Sequence, residues 1–216
     1  MVEIPEPRGG YFPVSLNVSG RPCLVVGGGP VAARKARGLL ACGALVTVIA
    51  TDVCPDMAAL TPLTVERRSY ASGDAASFRL VVTATGRPEV DGAVYADADA
   101  AGVWVNSADD RDHCSFLLPS VHRDGPVTIA VSTGGLSPAL ASWLRARLAA
   151  HAGARIGLLA QLIGEARTKV RASGLKSESV DWTALLNGPV PSLVEDGRID
   201  NARSILAAVT GVTPAN

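Results

Sequence analysis

The sequence predicts an α/β protein: a doubly wound parallel sheet, then a small antiparallel strand pair, then a helical C-terminal region. Three observations carry this expectation. Continuous apolar runs of strand length, "ALVTVIA" (Ala44–Ala50) and "LVVTAT" (Leu80–Thr85), alternate with helical stretches, as parallel strands covered on both faces require. The strand "CLVV" (Cys23–Val26) runs through Gly27, Gly28 and Gly29 directly into a helix. After Asn106 the alternation stops, and two short strands flank an Asp124-Gly125 turn before helices take over.

In chain order, Phe12–Val18 reads as a strand turned at Ser19-Gly20 into Cys23–Val26. A helix from about Val31 to Cys42 follows, with Gly43 as its C′ residue. After Ala44–Ala50 come a short helix near Asp56–Leu60 and a strand near Leu63–Arg67. The Leu80–Thr85 strand leads to a helix near Val90–Ala101 and the strand Val103–Asn106. "FLLPSVH" and "VTIAVS" form the antiparallel pair, one strand carrying Pro119. Ser137-Pro138 opens a helix, because serine caps free N–H groups and proline suits the first helical position. Its apolar face is Leu140, Trp143, Leu144 and Leu148. A second helix, Ile156–Ala172, repeats Ile156, Leu159, Ile163, Ala166 and Val170 and stops at Gly174. "SGLKSES" reads as a mobile loop, and Asp181–Leu186 and Ile199–Val209 as short terminal helices.

Composition narrows the function. The 216 residues suffice for one or two domains. A formal net charge of zero argues against a general binder of nucleic acid or anionic membrane. No apolar run approaches the roughly 18 residues of a membrane span, and the first residues lack a secretory pattern. The four cysteines form no C-x-x-C pair, which favours free thiols and a reduced, cytoplasmic compartment.

Gly27-x-Gly29-x-x-Ala32 fits the dinucleotide-binding pattern of a Rossmann-type domain. The first glycine permits a tight turn, the second lets backbone approach a pyrophosphate, and the small third residue lets helix and strand pack closely. The pyrophosphate would lie on the helix N-terminus, whose unpaired N–H groups and dipole favour an anion. Candidate cofactor contacts are Gly27, Gly28, Gly29, Pro30 and Val31 at the turn, Thr51 and Asp52 at the next strand end, and Thr85. No Arg or Lys lies between Thr47 and Val65, and Asp52 would repel a 2′-phosphate, so NAD is expected over NADP.

Asn106 and Asp109 follow directly on the last parallel strand, at the carboxyl edge where open α/β sheets place ligands. A carboxylate there suits a general base, or equally a turn or cap. Asp110 reads as a solvated neighbour. His113 and Cys114 could ligate a metal, but adjacent strand residues face opposite ways, so a packed Cys beside a surface His is preferred and no metal site is expected. Ser132-Thr133-Gly134-Gly135, between a strand and a capped helix, offers outward N–H groups suited to carboxylates. Arg34, Lys35, Arg111, His122, Arg123, Arg145 and Arg147 could assist, or could form a solvated face.

Three blocks, "GGGPVAARKA", "NSADDRDHCSFLLPSV" and "VTIAVSTGGLSPALASWLRARL", carry a resemblance in their order and spacing. From Tyr11 to about Leu148 the chain resembles the precorrin-2 dehydrogenase/sirohydrochlorin ferrochelatase family, the N-terminal module of siroheme synthase. The resemblance implies oxidation of precorrin-2 to sirohydrochlorin with NAD and, in many members, insertion of Fe²⁺ to give siroheme. It makes Asp109 the catalytic aspartate, with Asn106, Ser132, Thr133, Gly134 and Gly135 holding the polycarboxylate substrate. Many members have a second serine where Thr133 stands, so a role specific to serine is in doubt. The resemblance also favours a homodimer. Expected boundaries are 1–113 for the NAD-binding Rossmann domain, 114–150 for a dimerisation and substrate region, and 151–216 for a helical region.

Three readings compete. A dehydrogenase-only member would leave iron to another protein. A non-catalytic NAD-binding regulatory module would need the glycine turn but have no use for Asp109 or the Ser-Thr-Gly-Gly turn. A small-hydroxyacid dehydrogenase would want a catalytic His or Lys near the nicotinamide, and only three histidines exist.

Overall fold

A computed structural model describes residues 11–108 and 110–210. The chain folds as two compact units, with the division between Leu118 and Pro119.

The first unit holds β1 (Pro22–Val26), α1 (Pro30–Leu40), β2 (Leu45–Ala50), α2 (Pro55–Ala58), β3 (Thr64–Arg67), β4 (Leu80–Thr83), α3 (Pro88–Ala100) and β5 (Trp104–Ser107). All five strands are parallel in the order β3-β2-β1-β4-β5, so β1 is central and the strand order reverses beside it. Alternate side chains serve opposite faces, as the period of two demands. Cys23, Val25, Val46, Val48, Leu80 and Val82 join Ala32, Ala33 and Ala36 of α1 in one buried cluster. Leu24, Val26, Ile49, Val81 and Val105 join Val94 and Ala98 of α3 in the other. Each fully buried Val or Leu contributes roughly 1.5–3 kcal/mol. The three alanines let α1 lie close to the sheet, which fixes where its N-terminus points. Gly43 (φ 75°) ends α1 in a Schellman turn, its N–H donating to Leu40 O (2.8 Å) and the Ala44 N–H to Leu39 O (3.2 Å).

Phe12–Val18 corrects the sequence expectation, for it forms no strand. β1 is already paired on both sides, by β2 and β4, so no sheet edge is open beside it, and Pro13 lacks the N–H a ladder needs. Phe12, Val14 and Leu16 are accordingly exposed.

The second unit holds the antiparallel pair β6 (Ser120–Asp124) and β7 (Val127–Val131), turned at Gly125 (φ 52°). Pro119 lies just outside β6. Five helices follow: α4 (Pro138–Ala152), α5 (Ile156–Ala172), α6 (Trp182–Asn187), α7 (Val190–Glu195) and α8 (Ile199–Thr210). The α7 helix escapes the sequence reading. The second core gathers Leu159, Leu162, Ala166, Leu185, Val190, Leu193, Val194, Ala202 and Leu206. Gly157 opens α5 against the β6–β7 turn, its N–H donating to Asp124 Oδ2 (2.7 Å).

Two further expectations change here. Leu140, Trp143 and Leu148 of α4 are about half exposed (47%, 54% and 48%), because α4 lies on β6 and β7 with Ala141 as its buried residue. Ser173–Ser179 is not a free loop. Ser177 is buried and accepts from Arg167 Nε at its hydroxyl (3.2 Å) and from Trp182 Nε1 at its carbonyl (2.8 Å).

Candidate functional site

A cleft of about 320 Å³ opens at the carboxyl edge of the parallel sheet. Its floor is the Gly27–Gly29 turn, and its walls include Thr51 and Asp52 after β2, Arg68–Tyr70 after β3, and Thr85 and Arg87 after β4. A larger depression of about 740 Å³ lies at the opposite, amino edge.

The three glycines do different work. Gly27 has φ 119°, and a Cβ there would come within 2.4 Å of Ala84 O. A Cβ on Gly28 would meet Asp52 O at 1.8 Å, because Cys54 N–H donates to Gly28 O (2.8 Å) and draws that backbone in. Gly29 meets nothing within 4 Å, and its φ of −79° suits any residue. Its lack of a side chain serves nothing in the protein's own packing. It leaves open space at the N-terminus of α1, where no side chain caps the first turn. A dinucleotide pyrophosphate fits such a cradle, a helix N-terminus offering N–H groups beside a position where a Cβ would intrude.

The far wall is held by two carboxylates. Asp97 accepts from Tyr70 Oη, Ser72 Oγ and Gly73 N, each at 3.0 Å. The Gly73 N–H above all holds its carboxyl below the usual range, and burial together with Asp97 pushes the Tyr70 phenol up to about 12. Asp74 accepts from Ala71 N (2.8 Å) and from the Arg68 guanidinium. The near wall is tied by Asp91 in the first turn of α3, which accepts from the buried Thr83 hydroxyl, from Thr85 Oγ1 (2.9 Å) and from Thr85 N (3.2 Å). Thr85 therefore reaches the cleft with its hydroxyl already anchored.

Asn106 and Ser107 end β5 buried, at 5% exposure each. The Asn106 amide donates to Phe116 O (3.0 Å) and to Cys114 Sγ (3.4 Å), while its Oδ1 is buried with no partner among the described residues. Val105 N donates to Ser115 Oγ (2.7 Å), and Ser115 N donates to Val105 O (2.9 Å). An antiparallel bridge joins Asn106 to Cys114, and Phe116 packs into the core beside α1. Cys114, Ser115 and Phe116 are thus drawn back onto the strand end. Asp109 falls among them in sequence and lies outside the described residues. His113 Nδ1 pairs with Asp110 Oδ2 at 2.7 Å, and its ring stacks at a tilt on Tyr95. Cys114 is half-buried and takes four hydrogen bonds, one each with Asn106 Nδ2 and Asp110 O and two with Ser107. Among the described residues no His, Cys, Asp and Glu side chains gather as three or more metal ligands.

The Ser132–Gly135 turn of the second unit owes its shape to two consecutive left-handed glycines, Gly134 (φ 61°) and Gly135 (φ 80°). Ser132 Oγ accepts from Gly134 N (3.1 Å). Thr133 Oγ1 accepts from Ser137 N (3.0 Å) and donates to Ser137 O (3.1 Å), so its hydroxyl closes the turn. Ser137 Oγ in turn caps α4 through Leu140 N (3.2 Å). Of the basic side chains, Arg145 bonds Ser120 Oγ (3.1 Å) and Arg147 lies over the Trp143 ring (4.9 Å).

Sequence reading misses Arg68 and Tyr70, because the register that pairs Ala50 with Arg67 brings them beside Thr51 from a strand that sequence spacing does not reveal as its neighbour. It also misses Asp91, which reads as an ordinary first-turn acid.

Comparison with known proteins gives consistent findings. A family model described as putative NAD(P)-binding matches residues 14–120, and one described as sirohaem biosynthesis protein central matches residues 124–151. The siroheme synthase of Methylococcus capsulatus is 37% identical over 201 residues, covering 91% of this chain and 42% of that protein. That of Thioalkalivibrio sulfidiphilus is 39% identical over 201 residues, covering 91% and 41%. The chain therefore spans about two fifths of the length of these relatives. The solved structure of SirC, a precorrin-2 dehydrogenase, shares the fold with a TM-score of 0.74 at 24% identity, covering 93% of this chain and 99% of that one.

Proposed function

The chain belongs to the siroheme synthase family across its NAD(P)-binding and central segments, and from that membership we propose that it oxidises precorrin-2 to sirohydrochlorin with NAD. The observation that carries this reading is Gly29. It is the one glycine of the turn whose missing side chain would face open space rather than the protein's own backbone, which supports a ligand there.

The first turn of α1, from Gly29 through Pro30 and Val31, holds the pyrophosphate, with Gly27 and Gly28 shaping the turn. Thr51 and Asp52 meet the ribose, and Thr85 closes the opposite wall. Bound there, NAD supplies a two-electron acceptor for hydride. The macrocycle must also lose a proton, and Asp109 is the base that takes it. The bonds of Asn106 and Ser115 tie Cys114–Phe116 to the end of β5, so Asn106 serves the substrate by positioning. Ser132, Thr133, Gly134 and Gly135 form the turn assigned to substrate carboxylates.

Fe²⁺ insertion into sirohydrochlorin is the second activity assigned to the chain, with Asp109 accepting a pyrrole proton. A dehydrogenase-only role is the alternative reading for iron, since the same residues serve both. We assign the chain to the cytoplasm and to a homodimer, supported by the exposed Leu140, Trp143 and Leu148 on α4. Among the described residues no helix is long and apolar enough to cross a membrane.

The test incubates the protein with precorrin-2 and NAD, with and without Fe²⁺, and follows the absorption spectrum. Conversion that requires NAD is expected. Spectra unchanged by NAD overturn the assignment.

A further inference from the structure

One guanidinium at the ribose end of the cleft makes four hydrogen bonds and a further ion-pair contact to the protein itself. Arg68 follows β3, level with Thr51 in the register that pairs Arg67 with Ala50, and it lines the cleft together with Asp52. Its Nη1 donates to Asp74 Oδ2 (2.6 Å) and Ser69 O (3.1 Å). Nη2 reaches Asp74 Oδ1 (3.0 Å) and Glu66 Oε2 (2.7 Å), and Nε donates to Glu66 Oε2 (2.8 Å). These four hydrogen bonds and the added ion-pair contact engage all three nitrogens of the arginine. Arg87, the other arginine of the cleft, follows β4, which lies two strand spacings, about 10 Å, from β2.

An arginine at this place in a dinucleotide site is the group that accommodates a 2′-phosphate. Here two carboxylates neutralise it, and Asp52 adds a third negative charge to the same wall. We propose that Glu66 and Asp74 set cofactor choice in this chain by occupying Arg68, so that the cleft takes a dinucleotide with a free 2′-hydroxyl and refuses a 2′-phosphate. This rests on the reading of the cleft as a dinucleotide site. The geometry adds what Asp52 alone does not: a latent phosphate site, one pair of neutralising substitutions away from use. Asp74 is also fixed by the Ala71 N–H, so the fork is held in place before any ligand arrives.

Calorimetric titration of the full chain with NAD and with NADP tests the proposal, with no turnover involved. The wild type is expected to bind NAD about tenfold or more tightly than NADP, the effect of like charges brought together at a partly screened site. In Glu66→Gln/Asp74→Asn, which keeps shape and removes charge, the NADP-to-NAD affinity ratio should rise by about 10–100-fold, the range of charge-assisted hydrogen bonds. Adding Arg68→Ala should abolish that gain. Glu66→Gln alone, whose side chain bonds only Arg68, should give a smaller gain with an unchanged melting temperature. An NADP-to-NAD ratio unmoved in the double variant, or a gain that persists without Arg68, overturns the proposal while NAD binding to the wild type still upholds the cleft. Binding of neither dinucleotide to the wild type overturns the cofactor reading and this inference with it.

Discussion

The side-chain amide of Asn106 donates to the carbonyl oxygen of Phe116 at 3.0 Å, joining the end of β5 to a residue ten positions later. With the paired bonds between Val105 and Ser115, it closes the base of the intervening segment. Part of the spacing N-x-x-D-x(5)-S-F thus has a physical meaning: the asparagine, serine and phenylalanine form the closure.

Asn106→Ala should therefore slow dehydrogenation while leaving NAD affinity intact. It frees a partly buried carbonyl, at a cost of about 1 kcal/mol in stability. Turnover, melting temperature and calorimetric Kd measured on the same sample check this. A lowered melting temperature with normal turnover would show that the closure serves folding alone.

Asp109→Asn keeps size and removes the proton acceptor. Dehydrogenation should fall by roughly 10²–10⁴-fold, the range for general acid–base catalysis, with NAD binding retained. Near-normal turnover would make Asp109 structural.

Gly28 and Gly29 should separate folding from binding. Gly29→Val places its side chain in open space and should fold as the wild type does, yet lose NAD binding by calorimetry. Gly28→Ala drives a Cβ into the Asp52 carbonyl and should lower stability by about 1–3 kcal/mol or more, read as a fall in melting temperature. Equal melting temperatures for the two variants would contradict the division.

Iron insertion should be lowered by Asp109→Asn and unaffected by Gly29→Val, because removing pyrrole protons needs a base and no dinucleotide. Siroheme formation from sirohydrochlorin and Fe²⁺ under anaerobic conditions, with and without protein, is the measurement. Equal rates with and without the wild type would leave a dehydrogenase alone.

Local chemistry makes much of this legible in the sequence. Apolar runs such as Ala44–Ala50 and Leu80–Thr85 are long enough for strands and too short for helices, and Gly27 to Ala32 constrain one kind of turn. What depends on neighbours is hidden. Phe12–Val18 alternates like a strand, but β1 has no open side to receive it. The α4 periodicity reports an apolar stripe without saying what covers it, and Leu140, Trp143 and Leu148 stand half exposed. Arg68 reaches the cleft through a strand register. Asn106 reads as a ligand for substrate, while its amide turns inward to hold the chain.

One atom of that closure has a chemical consequence of its own. Burial raises the Cys114 thiol above its ordinary range and outweighs the opposing Ser107 backbone hydrogen bond, with the charge of Asp110 adding a smaller upward push and Lys35 and Asn106 smaller downward ones. The thiolate is the form that attacks alkylating agents and peroxides, so at neutral pH this sulfur presents little of it. Its single S–H proton is directed between the Ser107 and Asp110 carbonyls, and a sulfenic oxygen would have to displace that contact. Iodoacetamide should label Cys114 slowly in the folded protein, so the closure carries an oxidisable atom and shields it with its own burial and hydrogen bonds.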